Sequence, residues 1–82
     1  MALPHDWQYS FVASDGWALE ALSVALVRDG YRIVTLEGGA TPTLRVFKFE
    51  LHSPLTLLKR NDALEKTARG YGAAYQSCGV VL

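Results

Sequence analysis

The sequence predicts a single α+β domain of order β-α-β-β-α-β, with a four-stranded antiparallel sheet and two helices on one of its faces. Three observations point there. Aromatic and polar residues alternate with period two in Trp7-Gln8-Tyr9-Ser10-Phe11-Val12, as in a half-buried strand. The run Trp17 to Arg28 is rich in Ala and Leu at helical spacing. A second strand, a Gly-Gly turn, a third strand, a helix and a last strand then complete the order.

Each element has its own local cause. In the first strand Trp7, Tyr9 and Phe11 share one face. Ser14 or Asp15 supplies an oxygen suited to capping the first helix, whose Ala18, Leu22, Ala25 and Leu26 repeat on one side. Arg28 complements the helix C-terminus, and Gly30 is placed to leave it in a left-handed turn. Tyr31 to Glu37 is β-branched and aromatic, hence a second strand. Gly38-Gly39-Ala40-Thr41-Pro42 reads as a turn, so the strand from Thr43 to Leu51 forms a hairpin with its predecessor. Arg45, Phe47, Phe49 and Leu51 fall on one side of that third strand, and Leu44, Val46, Lys48 and Glu50 on the other. Ser53-Pro54 starts a second helix over Leu55 to Arg69, with Gly70 as its stop and a thin apolar face of Leu57, Leu58, Leu64 and Ala68. Residues 72–82 return to an extended chain ending in Val80-Val81-Leu82.

Composition narrows the function classes. A chain of 82 residues fits one domain and buries only about 60–65% of its unfolded surface, so it needs a dense core. With 50% hydrophobic residues it can build one. Eight basic and eight acidic residues leave no net charge, which disfavours nucleic acid as a partner and is compatible with self-association. The basic cluster Lys59, Arg60, Lys66 and Arg69 reads as a solvated helix surface. Cys78 is the only cysteine, so no internal disulfide or cysteine-based zinc site can form, and a reducing cytoplasm is the expected setting. The opening Met1-Ala2-Leu3-Pro4-His5-Asp6 has no leader pattern, and Trp17 to Val27 is too short and too interrupted to span a membrane.

No catalytic constellation emerges. His5 and His52 lack metal-ligand spacing and read as surface or edge histidines. Asp15, Glu20, Glu37, Glu50, Asp62 and Glu65 lie on separate elements and read as solvated charges. Cys78 reads as a small, half-buried apolar residue. Gly70-Tyr71-Gly72 follows a helix and lacks a third glycine, so it is no dinucleotide loop. Neither an enzyme nor a cofactor is expected. The element order defines a ferredoxin-like split βαβ sandwich, whose second sheet face lies open.

Residues 5–82 resemble the RraB-like family, ribonuclease E inhibitors. Trp7-Gln-Tyr-Ser-Phe11 is similar to that family's Trp-x-aromatic-x-aromatic first strand. Leu26-Val-Arg-Asp-Gly30-Tyr31-Arg-Ile33 resembles its Leu-x-x-x-Gly-Tyr-x-Val passage, and Leu64 to Tyr75 its Leu-x-x-x-Ala-x-x-x-Gly-Gly-x-Tyr run. That run continues Asp-Gly-Trp in the family, whereas this chain has Gln76, Ser77 and Cys78. Any recognition role of the family's Asp and Trp is therefore not carried over, and Trp17 is a residue that could compensate for the smaller volume of Cys78.

The resemblance implies the same fold; the absent catalytic set, the neutral charge and the aromatic-rich strands lead to the expectation of a non-enzymatic protein-binding, regulatory role, acting through the open face or a strand edge. The expected contact residues are Trp7, Tyr9, Phe47, Phe49, Tyr75 and Gln76, although one aromatic face must also pack beneath the helices. The partner is another protein, a ribonuclease by resemblance, or a second copy as a homodimer; no membrane is involved. Two alternatives stand beside it. One is an ACT-like small-molecule sensor, with ligand between subunits or near Gly38-Gly39. The other is a weak RNA-binding domain with stacking aromatics on its central strands.

Overall fold

The computed structural model describes residues 4–81, and the side chains of residues 4–80. Met1 to Leu3, read above as part of an N-terminus without a leader, and Leu82, read as the end of the last strand, lie outside them. The chain forms β1 (His5–Val12), α1 (Gly16–Arg28), β2 (Arg32–Glu37), β3 (Thr43–Glu50), α2 (Pro54–Gly70) and β4 (Ala74–Val81). The strands make one sheet of order β2-β3-β1-β4, and every neighbouring pair is antiparallel. This is the ferredoxin-like α+β arrangement that the sequence predicts, with β1 and β3 central and β2 and β4 at the edges.

Local chemistry explains the ends of both helices. Asp15 caps α1 by accepting from the Trp17 amide at 2.9 Å. The helix closes with Tyr31 N–H on the Leu26 carbonyl and Gly30 N–H on Val27, with Gly30 at φ +92°. In α2 Ser53 and Thr56 form a reciprocal capping box: the Thr56 amide donates to Ser53 Oγ, and the Ser53 amide to Thr56 Oγ1. The expected stop at Gly70 is displaced. Gly70 stays helical, and Gly72 (φ +79°) takes the left-handed position while Ala73 N–H bonds to the Ala68 carbonyl.

The core lies between the helices and one sheet face. Tyr9 and Phe11 of β1 and Leu44 and Val46 of β3 are fully buried against Leu19, Leu22 and Leu26 of α1 and Leu64 and Ala68 of α2. Register explains the set: Tyr9 lies opposite Val46 on β3 and Cys78 on β4, so all three side chains point toward the helices. The thin apolar face expected of α2 is thinner still, since Leu58 is exposed and Leu57 only half-buried. Trp17 does not compensate for the smaller Cys78, because it is 78% exposed.

Leu22→Ala should therefore lower unfolding stability in urea by about 2–5 kcal/mol, through lost burial and the cavity left behind. Phe49→Ala, on the opposite sheet face, should change it by less than about 1 kcal/mol.

Candidate interaction surface

The β1–β3 register sorts the side chains between the two faces. Gln8 lies opposite Phe47, Asp6 opposite Phe49 and Ser10 opposite Arg45, all on the side away from the helices. Phe49 is 67% exposed there, and the Arg32 guanidinium of β2 lies over the Phe47 ring at 5.8 Å. Arg45 pairs with Glu37 at 3.6 Å, with both side chains well exposed. A hollow of about 550 Å³ is lined by Asp6, Gly30, Arg32, Phe47, Lys48 and Phe49. Toward β4 the face turns polar, with Gln8, Ser10, Arg45, Gln76 and Ser77 around a shallow depression. The open face is thus aromatic with charges of both signs on one half and amide- and hydroxyl-rich on the other.

The residues expected at a contact face separate between the two sides. Phe47, Phe49 and Gln76 belong to the open side, Gln76 at a bulge where β4 passes from Ser77 opposite Ser10 to Tyr75 opposite Phe11. Trp7, Tyr9 and Tyr75 lie on the helix side instead: Tyr9 is fully buried, and the other two pack half-buried against the core. Tyr75 stacks at a tilt on Phe11, 5.4 Å between centroids, and its hydroxyl donates to Asn61 at 2.6 Å. The aromatics of β1 serve the core because β1 is central and its helix-side positions have no route to solvent.

One cluster departs from the sequence reading. Glu50 and His52, expected as a solvated acid and a surface histidine, have side chains only 11% and 4% exposed. The Tyr9 hydroxyl donates to Glu50 Oε1 at 3.0 Å and lies 3.2 Å from His52 Nε2. Arg60 of α2 clamps both carboxylate oxygens of Glu50, at 2.8 and 2.7 Å, and also donates to the Tyr31 hydroxyl. His52 Nδ1 faces Thr56 Oγ1 at 3.2 Å, and Trp7 meets the imidazole edge-on. Lys48 sits over the Tyr31 ring at 4.8 Å while donating to the Asp29 carbonyl. Arg60 thus leaves the solvated basic cluster, whereas Lys66 and Arg69 remain in exposed pairs with Asp62 and Glu65. A signal for the cluster was present, since the alternation of β3 puts Glu50 on the same face as Leu44 and Val46.

Burial pushes the Tyr9 phenol well above its ordinary range, and the Glu50 carboxylate adds to the effect. Burial likewise raises Tyr75 and Tyr31, the latter against the opposing pull of Arg60. Burial lowers the Arg60 pKa, but Tyr31 and Glu50 outweigh it and the net shift is upward. Chemically the cluster is a clasp that ties β3 to α2, with the polar atoms of Glu50 and Arg60 turned on one another. Among the described residues, no group of three or more His, Cys, Asp and Glu side chains could hold a metal ion. Cys78 is a free thiol, half-buried as expected. The hollow nearest the Gly38-Gly39 turn is lined by small uncharged residues such as Ala13, Ser14, Ala40 and Thr41. No described helix is long and apolar enough to cross a membrane. Comparison of the chain with protein-family models and with curated proteins finds no match.

Two outcomes follow for the clasp. Glu50→Ala leaves Arg60 and the Tyr9 hydroxyl without their partner, and urea unfolding should show a loss of about 2 kcal/mol, less than for a fully buried pair. The tyrosines set a pH dependence. A phenol whose pKa rises on folding keeps its full contribution below its unfolded value of 10.0 and loses it as pH climbs above that. In a Tyr71→Phe background, which removes the exposed tyrosine, tyrosinate absorbance should therefore rise together with loss of structure in an alkaline titration, rather than before it.

Proposed function

We propose that the chain is a non-enzymatic protein-binding module with a regulatory role, working through the open face of its sheet around Phe47 and Phe49. The supporting observation is the composition of that face. Phe49 is 67% exposed beside Phe47, and Arg32 and Arg45 flank them. Aromatic and arginine side chains dominate the energetics of protein interfaces, since they combine large apolar area with directed polar groups. The surface that fits is apolar at its centre, with acidic groups placed to meet Arg32 and Arg45 and none opposite Asp6. The RraB-like resemblance makes a ribonuclease the first partner to test.

Base stacking is less well supported. An RNA platform of this fold draws aromatics from both central strands, but here β1 offers Asp6, Gln8 and Ser10 to the open side and only β3 offers rings. Small-molecule sensing at Gly38-Gly39 gains no charged side chain from the hollow beside that turn, only the hydroxyls of Ser14 and Thr41 among small apolar residues.

Titration of a ribonuclease E-type enzyme against the immobilised chain tests the proposal. Phe49→Ala and Arg45→Glu should each weaken binding about tenfold or more, about 1.4 kcal/mol or above. Trp17→Ala, 78% exposed on α1, should leave it unchanged. Weakening by the Trp17 substitution with no effect from the other two would move the interface to the helices and overturn the proposal.

A further inference from the structure

The edge strand β2 has a property that its composition alone does not reveal. It reads Arg32-Ile33-Val34-Thr35-Leu36-Glu37, and among the described residues its outer side has no neighbouring strand. Edges of this kind are normally guarded by charges, above all lysine, by proline, by a bulge or by a covering element. This one has no lysine or proline, its charges stand only at its two ends and its bulge at Val34, and Ile33, Val34 and Leu36 are each more than 40% exposed.

Regular alternation would put Arg32 and Glu37 on opposite faces, since they are an odd number of residues apart. A bulge changes that. β2 pairs Ile33 with Val46 and then Thr35 with Arg45, so Val34 is the extra residue. Beyond it the phase is inverted: Arg32 lies opposite Phe47 and Glu37 opposite Thr43, both on the open face. Ile33, opposite Val46, and Leu36, opposite Leu44, share the helix-side face. From either end the strand therefore presents charge on the open side and then an aliphatic residue on the helix side, with Val34 and Thr35 between the two halves. The two end charges are opposite in sign.

We infer that β2 is a homodimerisation edge, pairing antiparallel with β2 of a second copy about a two-fold axis at the bulge. Such an axis sets Arg32 of each copy against Glu37 of the other and Ile33 against Leu36, so each contact occurs twice. A closed two-fold pairing consumes the β2 edge of both copies, so that β2 offers no template for further addition and only the β4 edges end the joined sheet. It also joins two sheets into one of eight strands, with a Phe47–Phe49 patch on each side of the axis. The pairing itself uses the backbone edge, while Arg32, which lies over the Phe47 ring, belongs to both the edge and the open face. Glu37 now meets Arg45 at 3.6 Å with both groups exposed, and that weak contact can be exchanged or shared.

Sedimentation velocity over a concentration series, with charge-reversed variants, tests the pairing. The wild-type chain should show a monomer–dimer equilibrium and no larger species. Arg32→Glu alone, or Glu37→Arg alone, places like charges opposite each other twice and should weaken the dimer about tenfold. The two variants mixed should form a one-to-one heterodimer, because every opposed pair is again of unlike sign. The double variant in one chain should recover the homodimer. Circular dichroism verifies that each variant is folded, and both positions are exposed. Amides of residues 32–37 should gain hydrogen-exchange protection with concentration. A folded wild type that stays monomeric throughout overturns the inference, as does a dimer indifferent to both reversals. Recovery of a β2-bound heterologous strand, with no self-association, would likewise assign the edge to another protein.

Discussion

A tyrosine in the middle of a sheet creates the constraint around which this fold is organised. Tyr9 lies on the central strand β1 and is fully buried, yet its ring ends in a hydroxyl that needs a partner. Glu50, from the end of β3, accepts that hydroxyl, and His52 lies beside it. A carboxylate brought this far from water needs compensation in turn, and Arg60 provides it with two parallel contacts from α2. The same guanidinium reaches the Tyr31 hydroxyl, next to the C-terminus of α1. One buried phenol thus fixes the approach of α2 to the sheet and links it to the end of α1. Few apolar residues of α2 are buried, only Leu64 and Ala68 fully, so polar contacts carry more of its orientation than is usual for an amphipathic helix.

This division of labour separates the two sheet faces. The helix side takes the β1 aromatics and the clasp, and it is closed. The open side keeps what the β3 register leaves over: Phe47, Phe49 and Arg45, with Arg32 contributed by the edge. The exposure of Phe49 is not a packing defect. It follows from a strand whose other face already supplies Leu44 and Val46 to the core and whose charged end reaches the clasp. A strand that serves the core so fully with one face is free to present apolar surface with the other.

Element order, strand faces and both helix starts were legible in the sequence because each has a short-range cause. Period-two alternation sorted all of β3 correctly, and Ser53-Pro54 marked the start of α2 to the residue. What was not legible depends on contacts distant in sequence. Glu50 and Arg60 looked like ordinary surface charges because Tyr9, forty-one residues before Glu50, supplies the reason for their burial. Tyr9 and Trp7 looked equally suited to either face, since alternation gives a face but not its direction. The stop of α2 was misplaced between two glycines, as both permit it, and only Gly72 allows Ala73 to reach the Ala68 carbonyl. The bulges at Val34 and Gln76 were invisible for the same reason: an extra residue is defined by its partner strand.

The Gln76-Ser77-Cys78 end of β4 also has a physical place. Cys78 lies directly opposite Tyr9, where side chains of paired strands come within about 5 Å of each other. Tyr9 already occupies that level of the core, with Tyr75 6.5 Å away and Trp7 half-buried on the same face. A small side chain opposite a large one is how such a layer interdigitates without strain. A tryptophan at 78 would crowd the Tyr9 ring and, through it, the hydroxyl that Glu50 holds. The Gln76-Ser77-Cys78 end is consistent with a core built outward from β1, and the bulge at Gln76 delivers an amide to the open face while Tyr75 and Cys78 both remain beneath the helices.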